Sequence, residues 1–365
     1  MADPPILKDF IDRPSVMGIA TAVATVAPRF DTDEMMAAVF DDQWGELALK
    51  QRIRHIAVTI RSLLPGDYPE VLVVMREAGK LVEAGTMTVW CFNDFVEEFG
   101  VDDPDLSIPA LEQFTKLASA EFAVRPFIRR YPERMADQML TWASSDDADV
   151  RRLASEGFRP RLPWGMGIPA LKSNPRPILP VLTALYRDSS EVVRRSVANN
   201  LNDISKDHPD LVVEVLSGWD DGSAATRALT KHALRTLLKV GHTGAMALLG
   251  FSDKPSVAVD GLAVTPSLAP VGSSVTAEFA VRSTGSTGQS LMIDYAVVFQ
   301  NISRTGSRKV FKGKVVDLGV AEAITMSRKI SLKQMTTRRI VPGPHLVEVQ
   351  VNGEVVASVG FDVTD

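Results

Sequence analysis

Two carboxylic acids sit in contexts unlike those of ordinary surface residues. Glu121 lies in Ser119-Ala120-Glu121-Phe122-Ala123-Val124-Arg125-Pro126-Phe127, among apolar neighbours. The pattern places it late in a helix that Pro126 bends or ends, with Arg125 available as a structural partner. Glu156 closes the run Asp149-Val150-Arg151-Arg152-Leu153-Ala154-Ser155-Glu156. Arg152 is four residues back and shares its helical face. Gly157 ends that helix. Phe158-Arg159-Pro160-Arg161-Leu162-Pro163-Trp164 follows, a loop stiffened by two prolines that brings two arginines and a tryptophan beside the acid. Carboxylates can stabilise a cation and arginines can hold an anion. Blander roles stay open: Glu156 can pair with Arg152 or Arg159, and Trp164 can plug a gap between packed elements.

These residues fall within an internal repeat. Met139-Leu140-Thr141, Val181-Leu182-Thr183 and Val215-Leu216-Ser217 are each followed by a short turn. Each turn leads into a helix carrying arginine: Arg151-Arg152, Arg194-Arg195 and Arg227. An earlier copy runs from Arg54 to Leu72, where Asp67-Tyr68-Pro69 matches Asp207-His208-Pro209. A period of roughly 34–43 residues suits HEAT-like helix pairs, which stack on their neighbours. Alignment puts Arg152 and Glu156 level with Arg195 and Asn199, with Asp203 a turn further on, and with Arg227, Lys231 and Arg235 in the third copy. Val150, Leu153, Val193, Val197, Leu201, Leu229 and Leu234 fill the core-facing positions. A solvated face with surface ion pairs explains any one of these helices. A polar, mostly basic face on three successive helices reads as a phosphate-binding channel.

Near residue 255 the helical period gives way to alternation. Val275, Ala277, Phe279 and Val281 alternate with polar or small residues, as do Val347, Val349 and Val351. Asn352-Gly353 then signals a hairpin. About seven strands in roughly 105 residues fit an immunoglobulin-like sandwich, without the cysteine pair and core tryptophan of antibody domains. The expected architecture is mainly α: a HEAT-like solenoid over residues 1–255, then an all-β sandwich over 256–365. Arg308, Lys309, Lys312, Lys314, Arg338 and Arg339 form basic clusters expected near strand ends. They serve either edge protection or anion binding.

The net charge of −5 is unevenly spread. Residues 1–124 carry 10 basic and 21 acidic side chains, residues 125–235 carry 17 and 14, and residues 236–365 carry 13 and 10. The acidic excess is confined to the first third, so an anionic partner can be accepted further along. A lone cysteine, Cys91, excludes an internal disulfide and a cysteine-based metal centre. The five histidines lack ligand spacing, so no metal is expected. Neither a leader peptide nor a membrane span is legible, which implies a cytoplasmic protein without membrane partners. No P-loop, complete dinucleotide fingerprint or nucleophile elbow occurs.

The stretches 119–127, 149–164, 189–209 and 336–353 together resemble the AlkC-like branch of the HEAT-repeat DNA glycosylases, alkylpurine glycosylases related to AlkD. The last stretch is similar to the subset with an immunoglobulin-like C-terminal domain. No such resemblance is found before about residue 50. It implies hydrolysis of the N-glycosidic bond of cationic alkylated bases, chiefly 3-methyladenine with 3-methylcytosine second. It further implies a bent duplex containing those bases as partner, no pocket for a flipped-out base, and no cofactor. A monomer is expected. In that setting Glu121 and Glu156 are the catalytic candidates, Glu156 as the water-positioning group. Asp203 is a third acid, which can equally be a partner of Arg195. Trp164 offers a π face to a cationic sugar or base. Arg152, Arg159 and Arg161 are candidates for phosphates flanking the lesion, extended by Arg195, Arg227, Lys231 and Arg235. Lys312, Lys314, Arg338 and Arg339 become a clamp on the duplex. A non-catalytic scaffold binding DNA or protein is the rival reading.

Overall fold

The computed structural model describes residues 6–300, 306–335 and 339–365. Among them, sixteen α-helices precede eight β-strands, and the fold is the expected helical solenoid followed by an immunoglobulin-like sandwich. The chain divides into two compact units, Met1–Asp207 with Gly222–Ala233, and His208–Asp221 with Leu234–Asp365. The second unit therefore takes in the Pro209–Gly218, Arg235–Lys239 and Thr243–Leu248 helices as well as the strands.

In the first unit the repeat is realised through its caps and its arginines. Asp147 accepts from the backbone of Asp149 and Val150, starting the Ala148–Glu156 helix. Satisfying such orphan donors is worth about 1 kcal/mol. Arg151 reaches back to the carbonyls of Ser145 and Asp146, both at 2.9 Å. One repeat later, Arg194 makes the same contacts to Asp188 at 2.5 Å and Ser189 at 3.0 Å. The first arginine of each pair thus ties the turn to its helix. The Glu191–Ile204 helix packs against both the Ala148–Glu156 and Ala224–Ala233 helices. Val150, Leu153, Val193, Val197, Leu201, Leu229 and Leu234 are all buried, as expected. Each contributes about 1.5–3 kcal/mol through burial.

Two expected helix positions are corrected. Glu121 lies in the turn that precedes the Val124–Arg130 helix, not late in a helix. Pro126 is the third residue of that helix, where its missing N–H leaves no hydrogen bond unmade. The Ala224–Ala233 helix stops before Leu234, and Arg235 opens a separate Arg235–Lys239 helix. Arg235 therefore does not continue the face of Arg227 and Lys231, and it belongs to the other compact unit.

The strands are β1 (Val257–Thr265), β2 (Leu268–Pro270), β3 (Ser274–Ser283), β4 (Gln289–Phe299), β5 (Ser307–Leu318), β6 (Ala323–Ser331), β7 (Gly343–Val351) and β8 (Glu354–Thr364). They form a three-stranded sheet, β1-β3-β6, and a five-stranded sheet, β2-β8-β7-β4-β5. The unforeseen short strand is β2, which pairs in parallel with β8. Alternation in β3 and β7 sends Val275, Ala277, Val347 and Val349 into the core. Asn352 and Gly353, at φ 47° and 86°, close the β7–β8 hairpin in the left-handed region that this turn requires. A Cβ at Gly353 would come within 2.2 Å of the Gly241 backbone, so only glycine fits there.

Candidate active site

Glu121 is held by side chains from its own turn and from the Ala148–Glu156 helix. Arg152 donates to its Oε2 at 2.9 Å and to Ser119 Oγ at 2.7 Å. Ser119 Oγ also lies 2.9 Å from Glu121 Oε2. Arg125, the partner considered from sequence, is engaged elsewhere. It lies fully buried and donates to the carbonyls of Gly157, at 2.9 Å, and Met166. Arg152, expected at a phosphate, is thus the clamp that fixes Glu121.

Glu156 and Asp203 are 5% and 2% exposed, too buried for unpaired carboxylates. The compensating charge is Arg159, itself buried, which bonds Glu156 on one side and Asp203 Oδ2 at 2.7 Å on the other. Burial pushes the Arg159 pKa down, but Glu156 and Asp203 outweigh it and hold it above its ordinary value. Ser196 donates to Glu156 Oε2 at 2.6 Å, and Lys206 Nζ donates to Asp203 Oδ1 at 2.9 Å. With two acids and two bases, the cluster is formally neutral. Arg159 is thereby corrected as a phosphate candidate, because its donors are consumed inside the protein. Asp203 pairs with Arg159, not with Arg195. Arg161 is occupied too, by a two-point pairing with Asp207.

Arg125 links the two clusters electrostatically. Burial first, then repulsion from Arg159, push its pKa down to about 10, opposed by Asp203, Glu121 and Glu156. The charges of the three acids chosen from sequence therefore all act on one buried guanidinium, whose Nη2 lacks a hydrogen-bond partner. Sequence reasoning missed this centre, although Arg125 stands in the same motif as Glu121. Ser196 and Lys206 were missed as well: no local pattern marks Ser196, which reaches Glu156 across helices, whereas Lys206 stands three residues after Asp203, a spacing that marks the pair.

Trp164 does not plug a gap between packed elements. It is 69% exposed, and its backbone is left-handed at φ 61°, unusual for a bulky residue. Its carbonyl accepts from Lys50 Nζ at 2.7 Å, which ties the loop to the Leu49–Leu63 helix. Lys50 also lies 3.5 Å above the ring of Phe122, next to Glu121.

The basic ladder is partly realised. Arg195 is exposed and bonds Glu191 at 2.8 Å, and Arg227 and Lys231 are exposed. Arg194, Arg195 and His232 line a groove between the Glu191–Ile204 and Ala224–Ala233 helices. His232 Nε2 lies 2.9 Å from Asn199 Oδ1, a contact between the two helices. Within the sandwich, Lys312 and Lys314 are exposed in the middle of edge strand β5, not near its end. They flank a bulge where the Gly313 N–H donates to Asp294 at 2.8 Å. Arg339 is exposed, and Arg338 lies outside the described residues.

Comparison with known proteins sets this geometry in a family. Residues 111–237 match the model described as "DNA alkylation repair enzyme", and residues 258–365 match "Uncharacterised protein YhaZ, C-terminal Ig-like domain". The chain is 39% identical to "Uncharacterized protein YhaZ" of Bacillus subtilis (strain 168), over the full length of both. It is also similar to the solved structure of Pseudomonas fluorescens alkylpurine DNA glycosylase AlkC bound to DNA containing an abasic site analog. That identity is 35%, with a TM-score of 0.93, covering 99% of this chain and 100% of the other. With such likeness along both full lengths, the chain belongs to the AlkC-like family of DNA alkylation repair proteins, in the subset with a YhaZ-type C-terminal immunoglobulin-like domain.

Proposed function

We propose that the protein is a DNA glycosylase that hydrolyses the N-glycosidic bond of cationic alkylated bases, chiefly 3-methyladenine and secondly 3-methylcytosine, in duplex DNA. The observation that carries this reading is the pair of buried acids, Glu156 and Asp203, braced by one arginine beside a third acid, Glu121. An N3-methylated purine is positively charged and leaves as a neutral base, so the enzyme need not protonate it. It must stabilise the positive charge that develops on the deoxyribose and place a water at C1′. Fixed carboxylates do the first through their charge. Glu156, held at both oxygens by Arg159 and Ser196, is the water-positioning group, and Trp164 presents its ring to the cation. Water attacks C1′ and the base leaves within the duplex, without a flipped-out intermediate. Arg195, Arg227 and Lys231 contact phosphates, and Lys312, Lys314 and Arg339 contribute a clamp. The enzyme works as a monomer in the bacterial cytoplasm, at the nucleoid.

The test is incubation with methylated duplex DNA followed by identification of the released bases. Release of 3-methyladenine above the spontaneous rate supports the reading. DNA binding with release at the spontaneous rate favours the scaffold alternative.

A further inference from the structure

Trp164 holds a backbone conformation that its own side chain does not explain. Its φ of 61° is left-handed, and its ring is 69% exposed, so burial of the indole does not keep it there. Arg125 anchors the loop at both ends, through the carbonyls of Gly157 and Met166. Between those points the Trp164 carbonyl accepts from Lys50 Nζ at 2.7 Å, a contact across 114 positions of sequence.

Lys50 is the second residue of the Leu49–Leu63 helix. A cation in a first turn meets the positive end of the helix dipole, where an acid is favoured. Local structure therefore does not call for a lysine. Ion pairing does not call for one either. The acids whose charges act on it, Glu97, Asp94 and Glu121, stand with Arg54 and Arg152 instead. The ammonium touches the Trp164 carbonyl and the face of Phe122, 3.5 Å from the ring centre. Phe122 directly follows Glu121. One ammonium thus fastens the loop of Trp164 to the turn of Glu121.

We infer that Lys50 is a positioning residue that acts through Trp164, holding the indole in one orientation relative to the Glu121 turn. The inference rests on the glycosylase reading for the use made of the ring. The tie itself rests on the contacts of Lys50.

The test combines a spectroscopic and a kinetic measurement on the intact protein. Incorporation of 5-fluorotryptophan labels all five tryptophans, and the fluorine signal lost in Trp164→Phe belongs to Trp164. In Lys50→Met that signal is expected to shift and narrow while the other four hold. The urea midpoint should not move, because Lys50 is exposed. Single-turnover release of 3-methyladenine from methylated duplex should fall about 10- to 100-fold, with DNA affinity unchanged. Lys50→Arg, which keeps the charge and the donors, should recover most of the rate. In a Trp164→Ala background Lys50→Met should have no further effect, since the two residues act as a unit. A Trp164 signal unmoved in Lys50→Met, or an equal loss of rate in both backgrounds, overturns the inference. Wild-type excision by Lys50→Met removes the role of Lys50 and leaves the glycosylase. A signal that moves in a protein whose wild type releases no base supports the tie and removes the glycosylase.

Discussion

Glu156 illustrates how far a residue type can be read before its partners are known. Its position four residues after Arg152 marked a shared face, yet Arg152 clamps Glu121 while Glu156 turns to Arg159 and Ser196. Replacing Glu156 by Gln removes charge and keeps shape, so excision should fall roughly 100- to 1,000-fold with DNA affinity unchanged. Single-turnover excision and a binding titration on the same preparation check this. A parallel collapse of affinity would make Glu156 a structural residue alone. Asp203 keeps Arg159 paired in that variant, so the fold should survive with a loss of up to about 3 kcal/mol. Glu121 and Glu156 stood out by context and Asp203 by repeat alignment, while Trp164 was singled out as a ring beside them only through the resemblance. The role of Arg159 was not legible, because its second acid lies 44 residues away and meets it only through helix packing.

The elements were legible where periodicity is strong, with a cap in agreement at the Ala148–Glu156 helix and without one at the Glu191–Ile204 helix. They were misread where one residue decides. Pro126 was taken as a helix end but sits in a first turn, where proline is tolerated, and the break before Leu234 carries no glycine or proline to announce it. Gly157 does follow the last helical residue, yet for packing and not for a left-handed turn, since its φ is −63°. A Cβ there would lie 2.8 Å from Val124 Cγ2 and 3.0 Å from the Leu153 carbonyl. Gly157→Ala should therefore cost about 1–3 kcal/mol, read from the urea midpoint. It should also disturb the Gly157 carbonyl that holds Arg125, so excision should drop along with stability.

For the whole molecule, charge and pH act through different units. If the groove between the Glu191–Ile204 and Ala224–Ala233 helices follows the DNA backbone, Arg195→Ala with Lys231→Ala should flatten the salt dependence of binding by about 0.9 per lost phosphate contact. An unchanged slope removes both from the interface. In the sandwich, His345 is buried, with Nε2 2.9 Å from the Val341 carbonyl and Nδ1 accepting from the Gln300 N–H. Burial lowers its pKa below the ordinary 6.5. The folded state therefore favours the neutral ring, and this stability is full above about pH 6.5 and lost as pH falls through the lowered value. Urea midpoints should decline between pH 7 and 5, and less so in His345→Gln. Fold class was legible at this scale because the change of period near residue 255 is abrupt. The grouping of three late helices with the strands was not, because it depends on contacts distant in sequence. Trp164 sets a last consequence. An exposed indole on a left-handed backbone is a position where folding alone would favour glycine, since such conformations cost roughly 1–3 kcal/mol in other residues. Trp164→Gly should yield a protein that melts higher and excises more slowly, a trade of robustness against activity measurable by thermal denaturation and turnover on one sample.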